Sequence, residues 1–232
     1  LGTIKYGDKD EEPIWLTQTI AGKTFASYTQ GDNLDLDSYC RALLLTVLLR
    51  AEDIKPDNVI LREDGKVKII DNEVIGCEPI RRRKTGEAQT TTSTDVIVMK
   101  NFLLCMPEIE EIVPAQFKTW LSGIDIEHSI EEWMLLMHKY DYMVQKFVPK
   151  KIIEGNADIY EQSIKASGFW NKNVEGFILR PTLPVSLISR VRLGLNKVQQ
   201  KILGDDTVTM HDVVEILEPS ISQIYYQVRI DY

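Results

Sequence analysis

A mostly helical α+β fold is what this sequence predicts, and two observations predict it. One is a pair of strand-like runs, "NVILR" and "KVKII", on either side of "EDG". Asp-Gly between such runs is a strong short-range hairpin signal. The other is a set of longer segments in which apolar residues recur at three- and four-residue spacings, the pattern of helices packed on one face. A chain of 232 residues, 44% hydrophobic and 27% charged, can bury one large core or two modest ones.

Taken in order, "PIWLTQTI" (13–20) has the β-branched and aromatic content of a strand, and Gly22 ends it. "LDLDSYCRALLLTVLLR" offers Asp35 or Asp37 as an N-cap followed by a dense apolar run, which predicts a buried helix over about 37–49. The hairpin comes next, over 58–71. "TGEAQTTTSTD" (85–95) is polar and Thr-rich and reads as a loop. "EHSIEEWMLLMHKYDYMVQKFV" aligns Ile130, Trp133, Met134, Met137, Tyr140 and Val144 as the core-facing stripe of an amphipathic helix. Helices also follow over 185–203 and 209–228, the second with Thr209 as N-cap and a break at Pro219. "PTLPVS", with Pro181 and Pro184, reads as a linker. The expected division is therefore 1–150, then a helical C-terminal extension over 151–232.

Composition narrows the function. The longest apolar run, "ALLLTVLL" (42–49), falls far short of the roughly 20 residues of a membrane span, and no signal-peptide pattern opens the chain, so a soluble location is expected. Cys40, Cys77 and Cys105 are odd in number and far apart, unlike a zinc site or a disulfide scaffold, and point to a reducing compartment. A formal charge of −8 argues against general nucleic-acid binding, which needs a basic footprint. His128, His138 and His211 are scattered and read as structural or solvent-facing.

The stretch that carries chemistry is "AEDIKPDNVILREDGKVKIIDNE" (51–73). The antiparallel strands of a hairpin bring its two ends together, so Asn58 at its start comes near Asp71 at its end. Asp53 lies five residues before Asn58. A phosphoryl-transfer site needs an acceptor near the attacking hydroxyl and oxygen ligands for Mg²⁺, a hard cation. The plainer alternative is an acidic turn, shaped by Pro56, that caps the hairpin.

"DIKPDNVILREDGKVKIIDNE" resembles the catalytic loop, hairpin and metal-binding turn of the protein-kinase-like superfamily, where Asp-x-x-x-x-Asn is followed by a strand-borne Asp. The resemblance implies Asp53 as acceptor or orienter of the hydroxyl, Lys55 near the transferred phosphate, and Asn58 and Asp71 as ligands of Mg²⁺ or Mn²⁺. Two departures stand out: Ala51-Glu52 precedes Asp53 where protein kinases carry His-Arg, and Asn72-Glu73 follows Asp71 in place of Phe-Gly. "Ile-Asp-Asn" is similar to the turn of type II phosphatidylinositol 4-kinases, and "YCRALLLTVLLRAED" to the phosphoinositide 3-kinase pattern. "RRRK", Arg81, Arg82, Arg83 and Lys84, starts ten residues after Asp71, where similar lipid kinases carry a basic activation-loop cluster that meets inositol phosphates. A solvated basic loop or a membrane-surface patch is the other reading of that run.

"PIWLTQTIAGKTFASY" is similar to a kinase's fifth strand, hinge and following helix, which implies adenine contacts near Gln18, Thr19 and Ile20. On that alignment the small lobe is largely absent. No Gly-x-Gly-x-x-Gly loop and no lysine–glutamate pair can be placed before residue 13. The expected protein is thus a kinase-like large lobe with a short catalytic hairpin. Its expected activity is phosphoinositide-kinase-like transfer from ATP, in the cytoplasm or at a peripheral membrane surface. Its nucleotide roof would come from a missing small lobe or an activating partner. The alternatives are a protein Ser/Thr kinase, favoured by "DIKPDN", and a pseudokinase scaffold or an enzyme moving another group from ATP. The loops also resemble those of effector kinases of intracellular bacteria, which would place the chain in a host cytosol.

Overall fold

A computed structural model describes residues 2–4, 12–14, 20–29, 31–70, 75–83, 94–147 and 185–231. Of these, 2–4, 12–14, 81–83, 94–96, 137–147, 185 and 231 are described by their backbone. The fold is mixed helix and sheet, with small sheets set among longer helices. The chain divides into two compact units, one of residues 1–19 and 127–185, the other of 20–126 and 186–232.

In the first unit, β1 (Gly2–Ile4) and β2 (Glu12–Ile14) form an antiparallel pair with Gly2 opposite Ile14. Strand structure thus overlaps the start of the 13–20 run, whose residues 15–19 lie outside the described set. The same unit takes in all but the first residue of α3 (Ile126–Phe147). The expected core stripe of α3 holds only in part: Ile130 is buried, Trp133 is half-buried and Met134 is 51% exposed. The side chains of Met137, Tyr140 and Val144 lie outside the described residues. The apolar run "WMLLM" is wider than one helical face, and spacing alone does not say which part of it is covered.

The second unit is built on α1 (Leu36–Leu49), close to the predicted span. Asp35 caps it by accepting from the Ser38 N–H at 3.2 Å, satisfying one of the orphan donors of the first turn. Tyr39, Cys40, Leu43, Leu44, Val47 and Leu48 are all essentially inaccessible, so α1 is covered around most of its circumference. Against it lie α2 (Ala115–Ser122) and α5 (Met210–Leu217). Between them run α4 (Val185–Gly204) and, after α5, α6 (Pro219–Asp231). Gly194 of α4 sits where an added Cβ would come within 2.7 Å of Leu48 Cδ2 and 2.9 Å of Leu217 Cδ2, so α1, α4 and α5 meet closely there.

The break expected at Pro219 falls between α5 and α6. Thr209 and Asp212 form a reciprocal capping box at the start of α5. The boundary expected near 150 lies among residues outside the described set. The helices from Ser186 onward share one compact unit with the hairpin.

The sheets are short. β5 (Val59–Leu61) and β6 (Val67–Ile69) form the predicted hairpin, with Leu61 opposite Val67. β3 (Lys23–Thr24) adds to its other edge. β4 (Asp53–Ile54) runs parallel to β9 (Lys100–Asn101). β7 (Ile80–Arg83) and β8 (Thr94–Ile97) pair antiparallel, with Arg82 opposite Asp95. The basic run therefore begins in a strand rather than a loop. "IRRR" lacks the composition of a strand, and its ladder is supplied by "TDVI" more than ten residues on.

Candidate functional site

The loop after α1 is set by where that helix stops. Arg50 takes a left-handed backbone, φ 50°, and its N–H closes on the carbonyls of the last turn. The Ala51 N–H donates to Thr46 O at 3.0 Å. The chain leaves in extended form as β4, where the Lys100 N–H donates to Glu52 O at 2.8 Å. Strand alternation then sorts the side chains. Ile54, 1% exposed, enters the core, while Asp53 and Lys55 stand on the opposite face with side chains 54% and 50% exposed.

That alternation explains why Lys55 Nζ lies 3.4 Å from Asp53 Oδ2. An exposed pair of this kind is worth at most about 1 kcal/mol, so the ammonium can turn to another anion at little cost. Pro56 then opens a single 3₁₀ turn, Pro56–Asn58, its fixed φ suited to a first helical position.

Asn58 ends the turn and is 7% exposed. Its Nδ2 donates to the Asp53 carbonyl at 3.2 Å, and its backbone N–H donates to Lys55 O at 2.9 Å. Its carbonyl accepts from the Ile70 N–H at 2.8 Å. The amide group thus braces the loop with its donor end and keeps a hard oxygen, Oδ1, as the end suited to a cation such as Mg²⁺. Ile70, the residue before Asp71, is tied to Asn58 through the hairpin.

Asp53, Lys55 and Asn58 are therefore gathered as the spacing suggests. Asp71, Gln18, Thr19 and Lys84 lie outside the described residues, as do the side chains of Arg81, Arg82 and Arg83. Ile20 is half-buried just ahead of β3. Among the described residues no three His, Cys, Asp or Glu side chains gather as a metal cluster. The expected ligand pair, an amide and a carboxylate, has only its Asn58 half in that set.

Two supports of this loop have no local signature in the sequence. Behind β9, Asn101 Nδ2 donates to Thr46 Oγ1 at 2.8 Å and Asn101 Oδ1 accepts from the Leu103 N–H at 3.1 Å. Tyr225 of α6 accepts from the Asn101 N–H and donates to Met99 O, at 3.0 and 3.2 Å. Burial pushes the Tyr225 phenol up, holding it as a donor.

The other support is ionic. Arg50 grips Glu218 through Nε and Nη2 at 2.8 and 3.1 Å, and Arg190 Nη2 reaches Glu218 Oε1 at 2.5 Å. Burial lowers the Arg190 guanidinium pKa, and the Glu218 charge works against that. The partners lie up to 168 residues apart. The only sequence hint is that Glu218 immediately precedes the helix-breaking Pro219.

No family model matches the chain, and neither a curated protein nor a solved structure matches it.

Proposed function

We propose that the chain carries ATP-dependent phosphoryl transfer on a kinase-like large lobe, with a phosphoinositide as acceptor. The observation that supports this most is one juxtaposition: Asp53, Lys55 and Asn58 share a loop, and the Asn58 carbonyl bonds Ile70, the residue before Asp71.

In this reading Asp53 accepts the proton of the acceptor hydroxyl as that oxygen forms a bond to the γ-phosphorus and the bond to the ADP oxygen breaks. Lys55 leaves Asp53 for the transferred phosphate. Asn58 and Asp71 would hold Mg²⁺ or Mn²⁺, which would supply neutralisation of the phosphate charge. Residues 18–20 would take adenine, and Arg81 to Lys84 the anionic headgroup, with paired guanidinium donors matched to phosphate oxygens. Such a headgroup site implies work at a cytoplasmic membrane face. Positioning and charge neutralisation supply the rate.

A protein Ser/Thr kinase is the second reading, favoured by the lysine lying two residues past Asp53 and within 3.4 Å of its carboxylate. The test is transfer of labelled γ-phosphate by the full-length protein with Mg²⁺, offered phosphoinositide vesicles beside generic peptides. Label in lipid, lost in Asp53→Asn, is the expected result. Label only in peptide would select the second reading. Label in neither would contradict both and favour a scaffold role.

A further inference from the structure

The carbonyl end of α1 is a junction of several chain segments. Thr46 O takes the Ala51 N–H, Leu49 O takes the Gly76 N–H at 2.7 Å, and Arg50 O takes the Cys77 N–H at 3.2 Å. Val47 O and Leu48 O are bonded by the Arg190 guanidinium. A cation there also faces the negative end of the helix dipole. One short stretch thus fixes both the strand that leads to Asp53 and the chain at Gly76 and Cys77.

Glu218 closes this junction. It is 4% exposed and sits between α5 and α6, where its N–H bonds Val214 O and its carbonyl accepts from Ile221 and Ser222. Its carboxylate lies between Arg50 and Arg190. With the carboxylate neutralised, two guanidiniums would be left together in a part-buried space, the arrangement in which losing one ionic partner costs most. Arg50 also needs the support, because a non-glycine residue at φ 50° relaxes unless its surroundings hold it.

We infer that Glu218 is a positioning residue for the phosphoryl-transfer loop, holding Arg50 and Arg190 so that Asp53 and the Gly76–Cys77 stretch keep a fixed separation. This rests on the proposed function, and two readouts separate the two ideas. The first is amide hydrogen exchange in Glu218→Gln. Ala51, Gly76, Cys77 and Lys100 should exchange faster by about tenfold or more than in the parent, with Tyr39 and Arg62 unchanged.

The second readout is kinetic. Glu218→Gln should lower kcat by about tenfold or more and leave KM for ATP within about twofold, since a displacement of about 1 Å at such a loop can cost about a hundredfold. Arg50→Lys keeps a cation opposite Glu218 but loses the paired donors, and an intermediate loss is expected. It also serves if Glu218→Gln does not fold. Equal acceleration at every amide, or local loosening with unchanged kcat, would overturn the inference. Absence of turnover in the parent itself would remove the proposed function, and with it the catalytic role. The exchange pattern would still decide whether Glu218 holds the loop.

Discussion

At the scale of single residues, the site depends on polar groups that each serve two ends. Asn58 braces the Asp53 carbonyl with its amide nitrogen while its oxygen stays suited to a cation. Asp53, Lys55 and Asn58 were legible because their relation is local: i and i+2 share a strand face, and one 3₁₀ turn brings Asn58 back. Arg50, Arg190 and Glu218 were not, because no spacing rule links residues 168 apart. Not every carboxylate on the molecule belongs to the site. Asp205, just after α4, accepts from Lys201 at 2.9 Å and from the Thr207 hydroxyl and N–H at 2.7 and 2.9 Å. The Lys201 ammonium first, and then Thr207, hold its carboxyl well below the usual range. A depressed pKa gives stability that is present above the ordinary value of 3.8 and lost as the pH falls through the folded value. Asp205→Asn should therefore melt below the parent at pH 7, and the gap should close as the pH drops below 3.8. A gap that persists in acid would show that the charge is not what matters.

At the scale of elements, the hairpin and α1 are one device. The Gly65 N–H closes a turn on Arg62 O at 3.0 Å, Arg62 N–H donates to Lys66 O at 3.0 Å, and Gly65 takes φ 80°. This is a three-residue loop with a left-handed glycine at its end. Gly65 O also accepts from the Asp35 N–H at 2.9 Å, so the turn is joined to the cap of α1. A Cβ on Gly65 would come within 3.1 Å of the Asn33 carbonyl and 3.2 Å of the Asp35 nitrogen. Gly65→Ala should therefore destabilise the protein by about 1–2 kcal/mol from the left-handed backbone alone, with backbone crowding added. Denaturant unfolding reads this directly, and a cost of only a few tenths would contradict it. α1, this hairpin and the capped α5 were readable because their signals lie within a few residues: Asp35 ahead of an apolar run, Asp64-Gly65 between strands, Thr209 three before Asp212. The parallel pairing of β4 with β9, and that of "IRRR" with "TDVI", were not. Each depends on a partner from elsewhere in the chain, and charged residues are poor strand formers by themselves.

At the scale of the molecule, the helices from Ser186 to Asp231 complete the core on which the loop stands. Val198, Met210, Val213, Val214 and Ile221 are buried in the same unit as α1 and the hairpin. Their amphipathic spacing announced helices but not a destination, since a stripe reads the same whether it closes a core or begins a separate extension. Tyr225 and Glu218 show what this closure adds: the last helices supply the hydrogen bonds and the carboxylate that fix β9 and the turn at Arg50. No described helix is long and apolar enough to cross a membrane. In the proposed function Asn58 and Asp71 hold a metal–nucleotide complex while Asp53 orients the acceptor. This assignment is tested most directly by Mn²⁺ binding in the presence of ATP, followed by electron paramagnetic resonance on the full-length protein. Asp71→Ala should weaken ATP-dependent Mn²⁺ binding by about tenfold or more, while Asp53→Asn should leave it within about threefold. Undiminished binding in Asp71→Ala would contradict it.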